Sequence, residues 1–390
     1  MKVVCGQGVP LKSWAEGLEE TAFAQAISLT LLPFAYKHVA LMPDAHQGYG
    51  MPIGGVLATE GVVVPNAIGV DIGCGMRFGE TETLVEDLHP GELDAVMLKI
   101  QEAIPTGFNH HQKAQSGWAT EQYLADMDIP IVTQEYEASL RQIGTLGGGN
   151  HFIEAQEGET GRLCFMVHSG SRNIGFKVAN HYNKLAIEMN EMWHTSVPKN
   201  WELAFLPIES ANGKAYMREM SACLEFAWHN RAIMWEAITD VLWDELGVDL
   251  DIGFDIHHNY AAWENHYGKN VLVHRKGAVR ARYGERVIIP GSMGTHSYIG
   301  MGQGNDDSFQ SCSHGAGRKM GRREAKRVLD NDAEMQDMKD AGIRLFGGGR
   351  GNDWLDECKS AYKNIDDVMA QQADLVHVLQ LVSPLAVVKA

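Results

Sequence analysis

The sequence predicts an α+β fold formed by one large domain over residues 1–390. Helical and strand-like segments do not alternate regularly, no Pro/Ser-rich linker, repeat or low-complexity tract divides the chain, and Gly-rich polar loops run from one end to the other. Hydrophobic residues make up 45% of the chain and charged residues 21%, which suits a sizeable core and excludes a disordered polymer.

The elements follow in order. Val62 to Val64 is a short β-rich run. Leu93, Val96, Met97, Ile100 and Ile104 fall at helical spacing between Pro90 and Pro105 and predict an amphipathic helix. Leu163 to His168 reads as a strand and Tyr182 to Trp193 as a helix. From Ala215 to Leu246 a long helix is expected, with Met217, Met220, Leu224, Ala227, Ile233, Ile238 and Leu242 on apolar faces and Trp228 and Trp235 in the core. Val271 to His274, Val287 to Ile289 and Leu385 to Val388 are strand-like, and Val368 to Leu381 is expected to be a further helix.

The 33 basic and 50 acidic side chains give a net charge of −17, so nucleic acid could be held only by local basic patches. No stretch approaches the ~20 apolar residues of a membrane span, and the N-terminal residues lack a signal-peptide core. A cytoplasmic protein with no membrane partner is expected. The six cysteines contain no CxxC pair, which argues against a disulfide framework or a zinc ribbon.

The 42 glycines cluster beside His, Asp, Asn and Ser, where backbone can approach a ligand closely. In VDIGCGM, Asp71 and Cys74 pair a carboxylate with a thiol, although a lone thiol in a turn is also a common buried filler. His151, His168, His257 and His258 each stand where an apolar run meets a small-residue or Asn-containing loop, and each alone also reads as a structural histidine. Together with Asp71 and Cys74 they offer N, S and O donors that suit Zn, Mn, Fe or Co better than Mg or Ca. His314 precedes Gly315, Ala316 and Gly317, a setting in which an imidazole can reach a phosphorus centre. The following Arg318, Lys319, Arg322, Arg323, Lys326 and Arg327 read as an anion-binding helix start or as a solvated helix face. Pro290 to Thr295 is a second phosphate-friendly loop, and Arg275 and Lys276 add fixed cations. No P-loop, Lys-x-Asp-Gly ligase signature or HExxH helix is present.

The segments MPDAHQGYG (42–50), NAIGVDIGCGM (66–76), GTLGGGNHFIE (144–154), HSGSRNIG (168–175), HHNY (257–260), RKGA (275–278), IIPGSMG (288–294) and SHGAGR (313–318), with the tail AYKNID and terminal VVKA, resemble the RtcB family of GTP-dependent RNA-splicing and RNA-repair ligases. The resemblance runs essentially end to end. It implies the family's arrangement of mixed β-sheets flanked by helices, with a site built from Gly-rich loops. It further implies two Mn(II) ions, with Cys74 bridging and Asp71, His151, His168 and His258 completing the ligands. His314 would be the guanylylated histidine, oriented by Asp44. GTP-contacting positions would be Asn150, His151, Phe152, Ile153, Glu154, His258, Asn259, Pro290, Gly291, Ser292, Met293, Ser297, His314, Gly315, Ala316, Gly317 and Lys389. The implied reaction passes GMP from His314 to an RNA 3′-phosphate, which a 5′-hydroxyl end then displaces; a 2′,3′-cyclic phosphate end would first be opened by hydrolysis. His296, and the stretches from Asn109 to Gln122 and from His194 to Gly213, depart from the family pattern. A metal-dependent phosphohydrolase acting on cyclic phosphates or nucleotides, or an inert RNA-binding protein, would compete with this reading, and His314 separates them.

Overall fold

Four of the five β-rich runs join two large sheets, which the computed structural model describes over residues 1–347 and 354–390, while Val62–Val63 pairs with Leu206–Pro207 in a separate two-stranded sheet. The first sheet has six strands in the order Lys2–Val4, Leu11–Ser13, Ala35–His46, Ile53–Thr59, Lys269–Lys276 and Asn259–His266. Only Leu11–Ser13 and Ala35–His46 pair in parallel within it. The second sheet has eight strands. Seven run in the order Phe254–His257, Gly75–Leu84, Arg162–Ser169, Phe152–Gly158, Val376–Lys389, Ser297–Gly302 and Arg286–Ile289, and Arg344–Gly347 lies parallel to Val376–Lys389. This mixture of sheets and helices matches the α+β expectation.

Two features of the topology position the site. In the second sheet Gly75 pairs with both Ser169 and His257, and Phe152 with His168. Cys74, His151 and His168 are therefore gathered at one end of three neighbouring strands. His258 is the corner residue, since Phe254–His257 belongs to the second sheet and Asn259–His266 to the first. On the far side, Ala278–Arg280 pairs with Ser311–Ser313, which sets His314 beside Gly277.

The helices cover apolar sheet faces. Leu93, Val96, Met97 and Ile100 of helix Glu92–Ala103 pack with Met234, Trp235, Ile238 and Leu242 of helix Ala211–Leu246 and with Ile153, Phe165 and Val167 of the second sheet. Each such buried side chain contributes about 1.5–3 kcal/mol of hydrophobic stabilisation before entropy is counted. Ser210 caps the long helix by accepting a hydrogen bond from Gly213 N–H at 3.0 Å. No helix among the described residues is long and apolar enough to cross a membrane.

Several expectations are corrected. Val368 to Leu381 is not one helix: helix Ile365–Gln371 ends there and strand Val376–Lys389 begins. The pairing of that strand with neighbours on both sides outweighs the helical spacing of its apolar residues. The helix expected from Tyr182 starts at Arg172, because burial of Ile174 and Val178 compensates for the poor helix propensity of Gly175. Trp235 is buried, but Trp228 is 44% exposed, since one face of the long helix meets solvent. Arg275 is a core ion pair rather than a site cation: it is fully buried and bound to Glu264 at 2.6 Å.

Candidate metal and nucleotide site

Cys74 sits in a tight turn, its N–H donating to Asp71 O at 3.1 Å, while His258 N–H donates to Cys74 O at 2.9 Å. The Cys74 sulfur lies 3.2 Å from His168 Nε2 and 3.5 Å from His151 Nε2. Both imidazoles are oriented from behind: His151 Nδ1–H donates to Leu146 O at 2.9 Å and His168 Nδ1–H to Asn150 O at 3.0 Å. A carbonyl can only accept, so these bonds fix the tautomers and aim both Nε2 lone pairs at the sulfur. Donor atoms of Asp71, Cys74 and His151 lie within 4.8 Å of one another, as do those of Cys74, His168 and His258, so that Cys74 is common to both groups.

These donors fit divalent cations. His151 Nε2 and Asp71 Oδ2 face each other at 3.0 Å, and with Nδ1 already protonated this contact needs a further proton or a metal between two lone pairs. The buried His258 Nδ1 has no hydrogen-bond partner among the described residues. Burial pushes the His168 and His258 imidazoles well below their ordinary range, with neighbouring histidines adding to the effect, so both are neutral ligands at neutral pH. Burial, together with the charge of Asp71, pushes the Cys74 thiol well above its range. A bound cation would release that proton.

A support network lies beneath the cluster, on the long helix whose sequence pattern indicates only an apolar face. Arg231, fully buried, is bidentate to Asp255 at 2.6 and 2.7 Å and donates to Gly73 O at 3.1 Å and Ser169 O at 2.8 Å. Asn230 Oδ1 accepts from Gly144 N–H and Thr145 N–H at 2.8 and 3.1 Å, and its amide donates to Gly170 O at 3.2 Å. Two adjacent polar residues inside an apolar helical pattern were the available signal. His257 belongs to this network and to neither donor group: its ring contacts Gly73 O at 3.0 Å and Arg231 at 3.2 Å, and burial with the Arg231 charge lowers it to about 4.

Asp71, Cys74, His168 and His258 of this cluster line a cavity of ~1160 Å³ together with His314. His314 is tied to Asp44 twice, through Nδ1 at 2.6 Å and through its backbone N–H at 3.1 Å, both to Oδ2. Asp44 is fully buried, which leaves Nε2 of His314 as the free ring nitrogen. Two glycines make room for this pair. A Cβ on Gly277, at φ +60°, would stand 3.0 Å from His314 Cε1, and one on Gly317, at φ +73°, would stand 2.2 Å from Asp44 O. The His258 and His314 rings are 5.0 Å apart, so both histidine systems address one space.

Of the expected site residues, Asp71, Cys74, Asn150, Phe152, Glu154, His168, His258, Asn259, Pro290, Gly291, Ser292, Met293, Ser297, His314, Gly315, Ala316, Gly317 and Lys389 line the cavity. His151 and Asp44 stand behind the lining side chains they contact. Ile153 points into the core, as strand alternation requires with Phe152 and Glu154 on the other face, so only its backbone could reach a ligand. In the loop from Pro290, Gly291 N–H is taken by Ser297 Oγ at 3.2 Å and Ser292 N–H by Thr295 Oγ1 at 2.7 Å, which removes two of the expected phosphate donors. Lys276 lines the cavity with its Nζ bonded to Tyr49 O and Asn66 O, and burial lowers its pKa to about 7. His296 is not among the lining residues and bonds Asp366 at 2.6 Å.

Three of the six residues of the basic run, Arg318, Arg322 and Lys326, are ion-paired among the described residues. Arg318 and Arg322 reach Glu357 at 2.5 Å, Arg322 and Lys326 reach Asp356 at 2.9 and 3.6 Å, and Lys389 reaches Glu357 at 3.5 Å. Burial would raise Glu357, but Lys389, Arg318 and Arg322 outweigh it and hold the carboxyl at about 2. These two acidic partners lie outside the basic run, and no local pattern of the sequence points to them.

A family model described as "tRNA-splicing ligase RtcB" matches residues 25–390. The RNA-splicing ligase RtcB of Escherichia coli (strain K12) is 36% identical over 98% of this chain and 98% of its own. That of Mycobacterium tuberculosis is 33% identical over 94% of this chain and 100% of its own. The tRNA-splicing ligase RtcB of Methanococcus maripaludis is 30% identical over 93% of this chain and 88% of its own.

Proposed function

The chain belongs to the RtcB family of tRNA-splicing ligases, and on that premise we propose that it is a cytoplasmic RNA ligase acting in RNA repair or tRNA splicing. It joins RNA 3′-phosphate or 2′,3′-cyclic phosphate ends to 5′-hydroxyl ends, using GTP and Mn(II), through a GMP-His314 intermediate. The supporting observation is the convergence on one cavity of two donor groups sharing Cys74 and a histidine whose Nδ1 is held by a buried carboxylate, with the His258 and His314 rings 5.0 Å apart. Residues from Glu19 to Lys389 line that space, which supports reading residues 1–390 as one catalytic unit.

Asp71, Cys74 and His151 would hold one ion, and Cys74, His168 and His258 a second. When bound, Mn(II) supplies charge neutralisation on the triphosphate and on departing pyrophosphate. Asp44 keeps the proton on Nδ1 of His314, so Nε2 presents its lone pair to the α-phosphorus of GTP. The N–P bond forms as the bond to pyrophosphate breaks, and the Asp44 carboxylate balances the positive charge that develops on the ring. GMP passes to the RNA 3′-phosphate, and the 5′-hydroxyl displaces it. Asn150, Phe152, Glu154, Asn259, Ser297, Lys389 and the loops from Pro290 to Met293 and from Gly315 to Gly317 form the nucleotide wall.

The test is incubation with Mn(II) and labelled GTP followed by denaturation. An acid-labile, alkali-stable label is expected on the unmodified protein and none on His314→Ala, while His314→Ala retains metal and Cys74→Ala loses it. A protein that opens a cyclic phosphate yet takes no label would be a phosphohydrolase instead.

A further inference from the structure

Phe108 is completely exposed, at 101% relative accessibility, yet the turn that carries it is pinned. Asn109 N–H donates to Thr106 O at 3.1 Å, Gly107 N–H to Gly147 O at 2.8 Å, and Arg172 to Gly107 O at 3.0 Å. Gly147 adjoins the metal-ligand candidates, since a Cβ there would lie 2.7 Å from His151 Nδ1. An aromatic side chain held out in water by a pinned turn beside a site forgoes the burial that normally retains such residues.

The surface leading from Phe108 toward the cavity is glycine backbone with the methyl group of Ala390 against Gly107 and Gly148. A Cβ on Gly148 would be 3.8 Å from Gly107 Cα, and one on Gly149 would be 3.6 Å from the Arg322 guanidinium. Arg322 and Arg323 line the cavity on that side. Arg322 is paired with Asp356 and Glu357, whereas Arg323 makes no ion pair among the described residues and offers phosphate an uncommitted cation in a chain of net charge −17. A docked protein would need a contiguous apolar surface, whereas one π-face beside glycines and guanidinium groups suits a nucleotide.

We infer that this rim is a subsite for single-stranded RNA: a base stacks on Phe108, the strand crosses Gly148 and Gly149, and its phosphates face Arg322 and Arg323. The inference rests on the RNA-ligase reading and specifies where the strand enters. Every base has a π-face, so the subsite is indifferent to sequence.

The test is the Kd of a labelled single-stranded RNA of about 12 nucleotides, measured by fluorescence anisotropy. Phe108→Ala should raise Kd roughly ten-fold, Phe108→Trp should restore it, and Phe108→Leu should not. Wild-type affinity in Phe108→Ala, equal rescue by Leu and Trp, or no RNA binding by the unmodified protein would each overturn the subsite. The GMP adduct of the unmodified protein, formed without RNA, judges the ligase reading separately.

Discussion

Glu154 shows how one residue can couple the site to stability. It faces the cavity from the second sheet, and burial raises its carboxyl from 4.5 to about 8, with Gln156 and Lys389 offsetting only part of the effect. Between those values the folded chain keeps a proton that the unfolded chain has released. The contribution of this group to stability is therefore complete below about pH 4.5 and is lost as pH rises through about 8. Glu154→Gln, which is neutral throughout, should remove that dependence. In metal-free urea denaturation from about pH 5 to about pH 9, the wild type should lose stability relative to the variant, by a few kcal/mol at most. Parallel pH profiles would show that Glu154 ionises normally.

At the scale of elements, the long helix Ala211–Leu246 acts as a clamp on the backbone next to Cys74 and His168, through Gly73 O and Ser169 O. Arg231→Met should cost about 3–5 kcal/mol, because Asp255 would remain buried and unpaired. Adding Asp255→Leu should recover much of that stability, since an apolar pair replaces the ion pair. The double variant still lacks donors to Gly73 O and Ser169 O, so Co(II) or Mn(II) titration should show affinity weakened by about ten-fold or more. If metal affinity recovers together with stability, the guanidinium serves folding alone.

For the whole molecule, the strand Val376–Lys389 joins the fold to the site. It pairs with Ser297–Gly302, Phe152–Gly158 and Arg344–Gly347, and it ends in Lys389, whose Nζ donates to Gly149 O at 2.9 Å. Removing Val387 to Ala390 deletes two buried valines and should lower stability by about 3–6 kcal/mol. Lys389→Met should preserve the sheet and leave Glu357 paired with Arg318 and Arg322, yet reduce GMP-adduct formation. Thermal unfolding and labelled-GTP capture distinguish the two, and a Lys389→Met variant that labels normally would remove this lysine from the nucleotide wall.

The sequence alone determined the α+β class, the helices around Leu93 and Met220, the strands around Val62, Leu163, Val271, Val287 and Leu385, and the candidate set of Asp71, Cys74, His151, His168, His257, His258 and His314. These were legible because apolar spacing and glycine clustering are local properties of the chain. Tertiary structure decided what depends on residues far apart in sequence. It made a strand of Val376–Lys389 through pairing on both sides, turned Arg275 into a core ion pair with Glu264, and separated His257 from His258 at a corner between sheets. It also brought Asp356 and Glu357 onto the basic run and set Asn230 and Arg231 beneath the donor cluster. Burial, long-range hydrogen bonds and ion pairs arise only when distant segments meet, and no local pattern encodes which segments those will be.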